Sequence, residues 1–515
     1  MAETRRWFCA LLGVLGAGGQ FAGPRPVTNL PCASPVKRAP VKFPRDLIFE
    51  DPGVAMYSGY VNVTPDDYLF YWMVEAQEGA PKDSPIIVWS NGGPGCSAME
   101  GATTEIGPLL MFGVKGNSDA FSGKLSVNPF AWNREAHLLF VDQPRYVGFS
   151  CGTGPHVESS VEAGKDMVSF LVGWRQTFPE HAHRSFVFAS ESYGGHFVPA
   201  WTSAILDYNS GASEPLEIAG IHIGNGIVNR SIQDTVESFV EFQKMEGLIP
   251  LWAHPRTMDE ARFLMHQTLK YKPNQYDYRI RSLDCCGCYG YNYAPWSEWL
   301  LLDEVTRALN VCGDAGKKAF AGCAGGCITS PSIDRFDRND KFDYSGALAR
   351  ALELGIPVTL TYGMQDLSCD YHGGYSMASS LEWSGAKAFA AAPLQDLLVE
   401  GSLNGKTKTA GGLTWIQVQG SGHMIPANNP AAAYSGISAI LRRWRNALPQ
   451  QKFSVFSAET PLAGASSFML VTLTSLLVVF VVLCAGAAGA RRLSSESWSS
   501  STEHFSHTET RALIS

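Results

Sequence analysis

The segment Ser190-Glu191-Ser192-Tyr193-Gly194 sets a hydroxyl among small residues directly after the apolar run Phe186 to Ala189. A serine hydroxyl is a weak nucleophile at neutral pH and needs a positioned base beside it. A strand-to-helix elbow lifts such a side chain clear of the backbone, and small flanking residues make the sharp turn feasible. Ser190 stands where the usual elbow has Gly, but it is still small. The acid and then the base are expected later in the chain, in that order. Asp366 follows Tyr362-Gly363, and His423 follows the apolar run Trp415 to Val418 in the turn Gly422-His423-Met424. Ser192, Asp366 and His423 are therefore the candidate catalytic residues, with Asp366 holding the imidazole tautomer and stabilising the imidazolium. His196 is a rival base, but one helical turn past Ser192 it faces the packing beneath the elbow. The backbone N–H groups of Gly93, in Asn91-Gly92-Gly93-Pro94-Gly95, and of Tyr193 are the candidate oxyanion donors. No Lys-Ser/Thr follows that glycine turn, which disfavours a nucleotide loop.

These residues need a scaffold that gathers distant turns. Six apolar runs are each cut short by a turn: Ile86 to Trp89, Leu138 to Val141, Phe186 to Ala189, Ile221 to Ile223, Val358 to Thr361 and Trp415 to Val418. Near-continuous apolar runs suit parallel strands buried on both faces. Helical patterns such as Val161 to Trp174 and Ala431 to Trp444 lie between several of them, which predicts an α/β architecture. In open α/β sheets ligands bind beyond the carboxyl ends of the strands, so these turns should share one edge and one site. The region 241–341, rich in Cys, Tyr and Gly, breaks the rhythm and reads as an insertion capping that edge.

The two ends predict a compartment. Arg5 and Arg6 precede a short apolar stretch, a weak signal peptide over 1–19. A Pro-rich segment, 20–44, with Lys37-Arg38, reads as a propeptide or an irregular arm. The catalytic body is expected over 45–450, a stalk over 451–467 and a transmembrane helix over 468–490, where Phe468 to Ala490 carries no charge. About 20 apolar residues are needed to cross a bilayer as a helix. Arg491 and Arg492 follow at once, which orients the tail 491–515 to the cytosol. The expected layout is a single-pass type I membrane protein of the secretory pathway with a lumenal body. Asn62 and Asn229 lie in sequons and are candidate glycosylation sites. Of 12 cysteines, six crowd the insertion: Cys285, Cys286, Cys288, Cys312, Cys323 and Cys327. Disulfides that staple a loop-rich cap are the favoured reading, with a zinc site as the competitor. A net charge of -8 without a basic patch sets nucleic acid aside.

Several longer strings carry a resemblance: Trp89 to Ser97 (Trp-Ser-Asn-Gly-Gly-Pro-Gly-Cys-Ser), Asn128 to Asn133, Asp142-Gln143-Pro144 with Gly148-Phe149-Ser150, Glu191 to His196, and Gly422-His423-Met424. In this order, over nearly all of Asp46 to Trp444, the chain resembles the serine carboxypeptidases. The resemblance implies an α/β-hydrolase fold with a helical or disulfide-rich cap, and no cofactor or metal. It implies a Ser192–Asp366–His423 triad and an oxyanion hole of Gly93 and Tyr193. It also implies a clamp for the substrate's terminal carboxylate made of Asn91, Gly92, Glu105 and Glu191, and a disulfide from Cys96 into the insertion. Two carboxyl groups facing a carboxylate must share protons, so activity is expected to favour acidic pH. Arg145 and Tyr146 replace the usual small apolar residues and are expected to add bulk and charge near the cleft. Met364 stands where an acidic residue is frequent. The expected partners are peptides with free C-termini; the membrane-anchored layout resembles processing enzymes that trim Lys or Arg. An acyltransferase or esterase of the same fold is the alternative, and a non-catalytic binding partner a third.

Overall fold

The computed structural model describes residues 32, 34–111, 123–282, 294–313 and 331–454. The six apolar runs form strands β4 (Ile86–Ser90), β5 (His137–Val141), β6 (Phe186–Glu191), β7 (Ile218–Gly224), β8 (Val358–Gly363) and β11 (Leu413–Val418). They lie side by side in the order β5-β4-β6-β7-β8-β11, and every neighbouring pair is parallel. Strands β4, β6 and β8 are buried at every residue, which is what a strand covered on both faces demands.

The sheet is larger than the sequence patterns predict. On the β5 side it continues antiparallel through β3 (Asp67–Val74), β2 (Met56–Asn62) and β1 (Ala39–Pro40). On the β11 side it continues through β10 (Ser402–Ala410) and β9 (Gln395–Val399). One core packs helices α1 (Ser160–Thr177) and α2 (Gly194–Asn209) on the sheet: Met167, Phe170, Trp174, Phe197 and Trp201 meet Val88, Phe188 and Ile223. Helix α1 starts where Ser159 accepts from Glu162 N while Glu162 Oε2 accepts in return from Glu158 N, a reciprocal cap.

The expected insertion supplies helices α3 (Val236–Met245), α4 (Met258–Leu269), α5 (Ala294–Leu300), α6 (Asp303–Ala308) and α7 (Pro331–Asn339), with a small hairpin at Pro273–Asn274 and Asp277–Arg281. The chain then rejoins the body through α8 (Ser345–Glu353), while α9 (Tyr371–Ser380) follows β8 and α10 (Pro430–Ser454) closes the described chain. The first compact unit runs to Ala447. The stalk from 455 onward, the apolar segment 468–490 and the segment 1–19 lie outside the described residues. Among the described residues no helix is long and apolar enough to cross a membrane.

The arm is tied into the body. Ala39–Pro40 pairs with β2, and Cys32 is bridged to Cys151. Cys312 brings its Sγ to 3.5 Å from that of Cys151. Cys96 is disulfide-bonded. Cys285, Cys286, Cys288, Cys323 and Cys327 lie outside the described residues. Of the two sequon asparagines, Asn62 ends β2 exposed, whereas Asn229 is buried with its Oδ1 accepting from Ser231 N.

Arg145 and Tyr146 correct an expectation. Rather than adding charge to the cleft, Arg145 turns to a carboxylate pair, with Nε and Nη2 on the two oxygens of Asp166 at 2.7 Å each and Nη1 on Asp67 at 3.1 Å. Tyr146 donates to Asp67 and to the Gly154 carbonyl, both at 2.6 Å. The side chain of Arg145 is only 11% exposed and that of Asp67 1%. Removing one partner of a buried ion pair costs on the order of 3 kcal/mol, because the remaining charges lose their compensation. Arg145→Ala should therefore lower the urea midpoint markedly while leaving KM ratios among peptides differing at the penultimate residue unchanged, a comparison that urea titration and steady-state kinetics provide.

Candidate active site

The site grows from the carboxyl ends of β4, β5, β6, β7, β8 and β11. Serine hydroxyls lace three of these ends together: Ser190 Oγ donates to the Ser90 carbonyl and Ser90 Oγ to the Val141 carbonyl, each at 2.5 Å. That explains why Ser190 is tolerated in place of Gly in the elbow; its hydroxyl joins β6 to β4. Ser192 takes a φ of +58°, the left-handed conformation expected of an elbow nucleophile. Its backbone is pinned on both sides, with Ser192 N donating to the Gly224 carbonyl and Ile227 N donating to the Ser192 carbonyl.

His423 and Asp366 meet as the sequence predicts. His423 Nδ1 lies 2.5 Å from Asp366 Oδ2, with both side chains buried. Asp366 is itself held: Asn225 Nδ2 donates to Oδ2 at 2.8 Å and Ser368 N to Oδ1 at 2.8 Å. Asn225 Oδ1 in turn accepts from Gly363 N, so the amide bridges the turns after β7 and β8. Sequence reasoning read Gly224-Asn225-Gly226 only as a turn and missed this role. The imidazole is also placed by the cap hairpin, where Tyr276 packs its ring 4.6 Å from that of His423 and accepts from His423 N at 2.7 Å. His196 does point beneath the elbow, with Nδ1 3.0 Å from Asp340.

The glycine turn lies against the elbow. A Cβ on Gly92 would fall 2.6 Å from Tyr193 N and 2.8 Å from Ser192 Cβ, so only Gly permits this approach. Among the described residues neither Gly93 N nor Tyr193 N donates to a backbone or side-chain acceptor, which leaves both donors for another oxygen.

Beside them Asn91 joins two buried carboxyl groups, with Nδ2 donating to Glu105 at 3.2 Å and Glu191 at 3.1 Å. Its orientation is fixed because Oδ1 accepts from Trp89 Nε1 and Gly101 N. Burial pushes Glu105 up, and burial followed by the neighbouring charges of Glu105 and Glu100 pushes Glu191 well above the usual carboxylate range. Such a pair retains a proton where an exposed carboxylate would not. Glu105 Oε2 is buried and accepts from no donor among the described residues. Glu100, a buried third carboxylate, was not singled out in the sequence.

Asp142 organises the rest of the rim. It accepts from Ser97 Oγ, Ala98 N and Phe149 N, joining the glycine turn to the Gly148-Phe149-Ser150 turn. A possible metal cluster elsewhere, Glu75 with His137 and His181, is occupied by hydrogen bonds. Arg184 Nε donates to His181 Nδ1, which leaves the proton on Nε2 facing Glu75 and removes that nitrogen as a ligand.

Comparison with known proteins agrees with this geometry. The sequence profile described as serine carboxypeptidase matches residues 46–277 and 253–443, and the chain belongs to that family. It is thus a hydrolase of the serine carboxypeptidase class. Among curated relatives, Carboxypeptidase Y homolog A of Arthroderma otae is 30% identical over 437 residues, covering 77% of this chain and 76% of the relative. Carboxypeptidase Y homolog A of Emericella nidulans is 32% identical over 429 residues, covering 74% and 72%. The crystal structure of KEX1(delta)p, a prohormone-processing carboxypeptidase from Saccharomyces cerevisiae, superposes with a TM-score of 0.61 at 22% identity, covering 79% of this chain and 95% of that one. That likeness establishes a shared α/β-hydrolase fold.

The buried acids set a pH dependence for folding. Burial raises Asp142 from 3.8 to about 6 and Asp370 from 3.8 to about 7. The folded state therefore holds these protons more tightly than the unfolded chain, and stability falls as pH rises from about 4 through these values. Asp340 and Glu75 are instead lowered to about 2, so their contribution is lost only as pH falls from about 4 toward that value. Asp142 and Asp370 thus favour about pH 5 over about pH 8, while His222, which burial lowers to about 4, acts in the opposite sense; Asp142→Asn should remove its share, so that the denaturant midpoint falls less, or rises more, between about pH 5 and about pH 8 than in the unaltered protein.

Proposed function

We propose that the enzyme removes single residues from peptide C-termini through an acyl-enzyme on Ser192. In this reading Ser192 Oγ attacks the last peptide carbonyl while His423 Nε2 takes its proton, and Asp366 stabilises the imidazolium. The oxyanion is received by the N–H groups of Gly93 and Tyr193. His423 then gives the proton to the departing amine, and water repeats the sequence on the ester. The single observation that carries this reading is the 2.5 Å His423–Asp366 contact at the rim where the strained Ser192 elbow lies.

Asn91, Gly92, Glu105 and Glu191 would grip the substrate's terminal carboxylate, which makes the enzyme an exopeptidase. The proton shared by the two glutamates turns a repulsive pair into a hydrogen-bond donor for that group, and their raised pKa values support it. Because the pair loses this proton as pH rises, kcat/KM should decline toward neutrality. Glu100 is a third buried carboxyl within electrostatic range of Glu191, and in this reading the acidic cluster favours release of terminal Lys or Arg. We place the enzyme in the lumen of the secretory pathway, anchored by the segment 468–490, on the strength of its uncharged run and the arginines that follow.

Mass spectrometry of a mixed peptide pool incubated with the purified protein should show stepwise loss from C-termini, fastest for basic residues. Cleavage inside peptides, or loss from N-termini, refutes the exopeptidase assignment. Ser192→Ala should abolish both turnover and labelling by an organophosphate probe. Glu100→Gln should lower the preference for Lys and Arg over Leu by about tenfold, the scale of one lost charge interaction. Glu105→Gln combined with Glu191→Gln should flatten the fall of kcat/KM with rising pH.

A further inference from the structure

One buried carboxylate, separate from Asp366 and from the Glu105–Glu191 pair, touches the elbow from beneath. Asp340 is the residue that follows cap helix α7, and it is 6% exposed. Its Oδ2 accepts from Tyr193 OH at 2.9 Å and from Ser160 Oγ at 2.5 Å, and lies 3.0 Å from His196 Nδ1. Its Oδ1 accepts from Ser160 N at 2.9 Å and Tyr344 OH at 2.5 Å. Ser160 opens α1, Tyr193 caps α2, His196 sits in the first turn of α2, and Tyr344 caps α8. Side chains from three helix starts thus converge on one carboxylate, and at α1 the backbone N–H of Ser160 adds the helix dipole.

Tyr193 is the point where this hub meets the chemistry. Its phenol is held by Asp340, its ring lies under the Arg230 guanidinium at 5.3 Å, and Arg230 pairs with Asp337 on α7. The backbone N–H of the same residue faces the Gly92-Gly93 turn. We propose that Asp340 is a positioning residue: by anchoring the Tyr193 side chain from the cap's point of return, it aims the Tyr193 N–H at the developing oxyanion. This inference rests on the oxyanion role given above to Tyr193. The carboxylate serves the transition state more than the bound peptide, because a ground-state carbonyl makes less use of that donor.

Asp340→Asn replaces one acceptor by a donor facing Tyr193 OH or His196. The expected result is a fall in kcat of about 10- to 100-fold with KM within about twofold, below the loss for deleting an oxyanion donor outright. Affinity for a peptide aldehyde, whose hemiacetal adduct carries the oxyanion, should fall in parallel with kcat/KM. Binding of a peptide product to the Ser192→Ala protein should not change when Asp340→Asn is added. Tyr193→Phe keeps the N–H but removes the tether; it should lower kcat about tenfold, and much less again when combined with Asp340→Asn. Tyr344→Phe removes a bond to Oδ1, the oxygen that Tyr193 does not use, and should lower the melting temperature while leaving kcat within about twofold. A rise in KM at constant kcat in Asp340→Asn, or unchanged aldehyde affinity, overturns the proposal. Additive losses in the double variant overturn it as well. Retained turnover in Ser192→Ala would instead defeat the underlying nucleophile assignment, so the two failures are distinguishable.

Discussion

A carboxylate taken out of water has to collect hydrogen-bond donors, and the rim of this protein is assembled by that demand. Asp142 collects from the glycine turn and from the turn after β5. Asp366 collects from Asn225, Ser368 and the His423 imidazole. Asp340 collects from three helix starts. In each case the donors come from segments far apart in the chain, so satisfying one acid fixes the relative placement of several loops. A parallel sheet makes this feasible by delivering its carboxyl ends to a common edge; the acids then convert proximity into registry.

The same burial has opposite consequences according to what the donors carry. Asp142 is surrounded by a neutral hydroxyl and two amides, and burial dominates, raising it to about 6. Among the described residues the side-chain donor to Glu105 and Glu191 is the single Asn91 amide, and both move upward. Glu75 faces two imidazoles, and Asp340 faces His196 with three hydroxyl donors and one amide donor, and both drop to about 2. An imidazole able to carry charge, together with several donors, outweighs desolvation where a single amide does not. The molecule therefore keeps protons at its clamp and negative charge at its structural hub within one acidic pH range.

Much of this was legible in the sequence, for a physical reason. Strands covered on both faces must be apolar throughout, so β4, β6 and β8 stand out as short runs ended by glycine turns. The flanking strands were not legible: β10, Ser-Leu-Asn-Gly-Lys-Thr-Lys-Thr-Ala, alternates exposure and carries polar residues that also suit a loop. The residues that the structure brings together around Asn91 and between Asp366 and His423 sit in or beside short motifs and could be named from the sequence. Asn225 and Asp340 could not, because what makes them important is a partner more than a hundred positions away. Nothing local distinguishes Asp340 in Asn339-Asp340-Lys341 from a solvated turn residue. Arg145 failed in the other direction: its chemistry was noted, but its direction depended on Asp67 and Asp166, which no local pattern connects to it.

The bridge between Cys32 and Cys151 bears on how the molecule responds to cleavage. Lys37 and Arg38 lie between Cys32 and the first strand, and the Arg38 guanidinium already packs over Tyr57 and Phe178. A cut after Arg38 would sever the backbone without freeing the piece that contains residue 32. The product would be a two-chain protein whose smaller chain leaves only under reducing conditions, so its apparent size on a gel would depend on whether thiol was added.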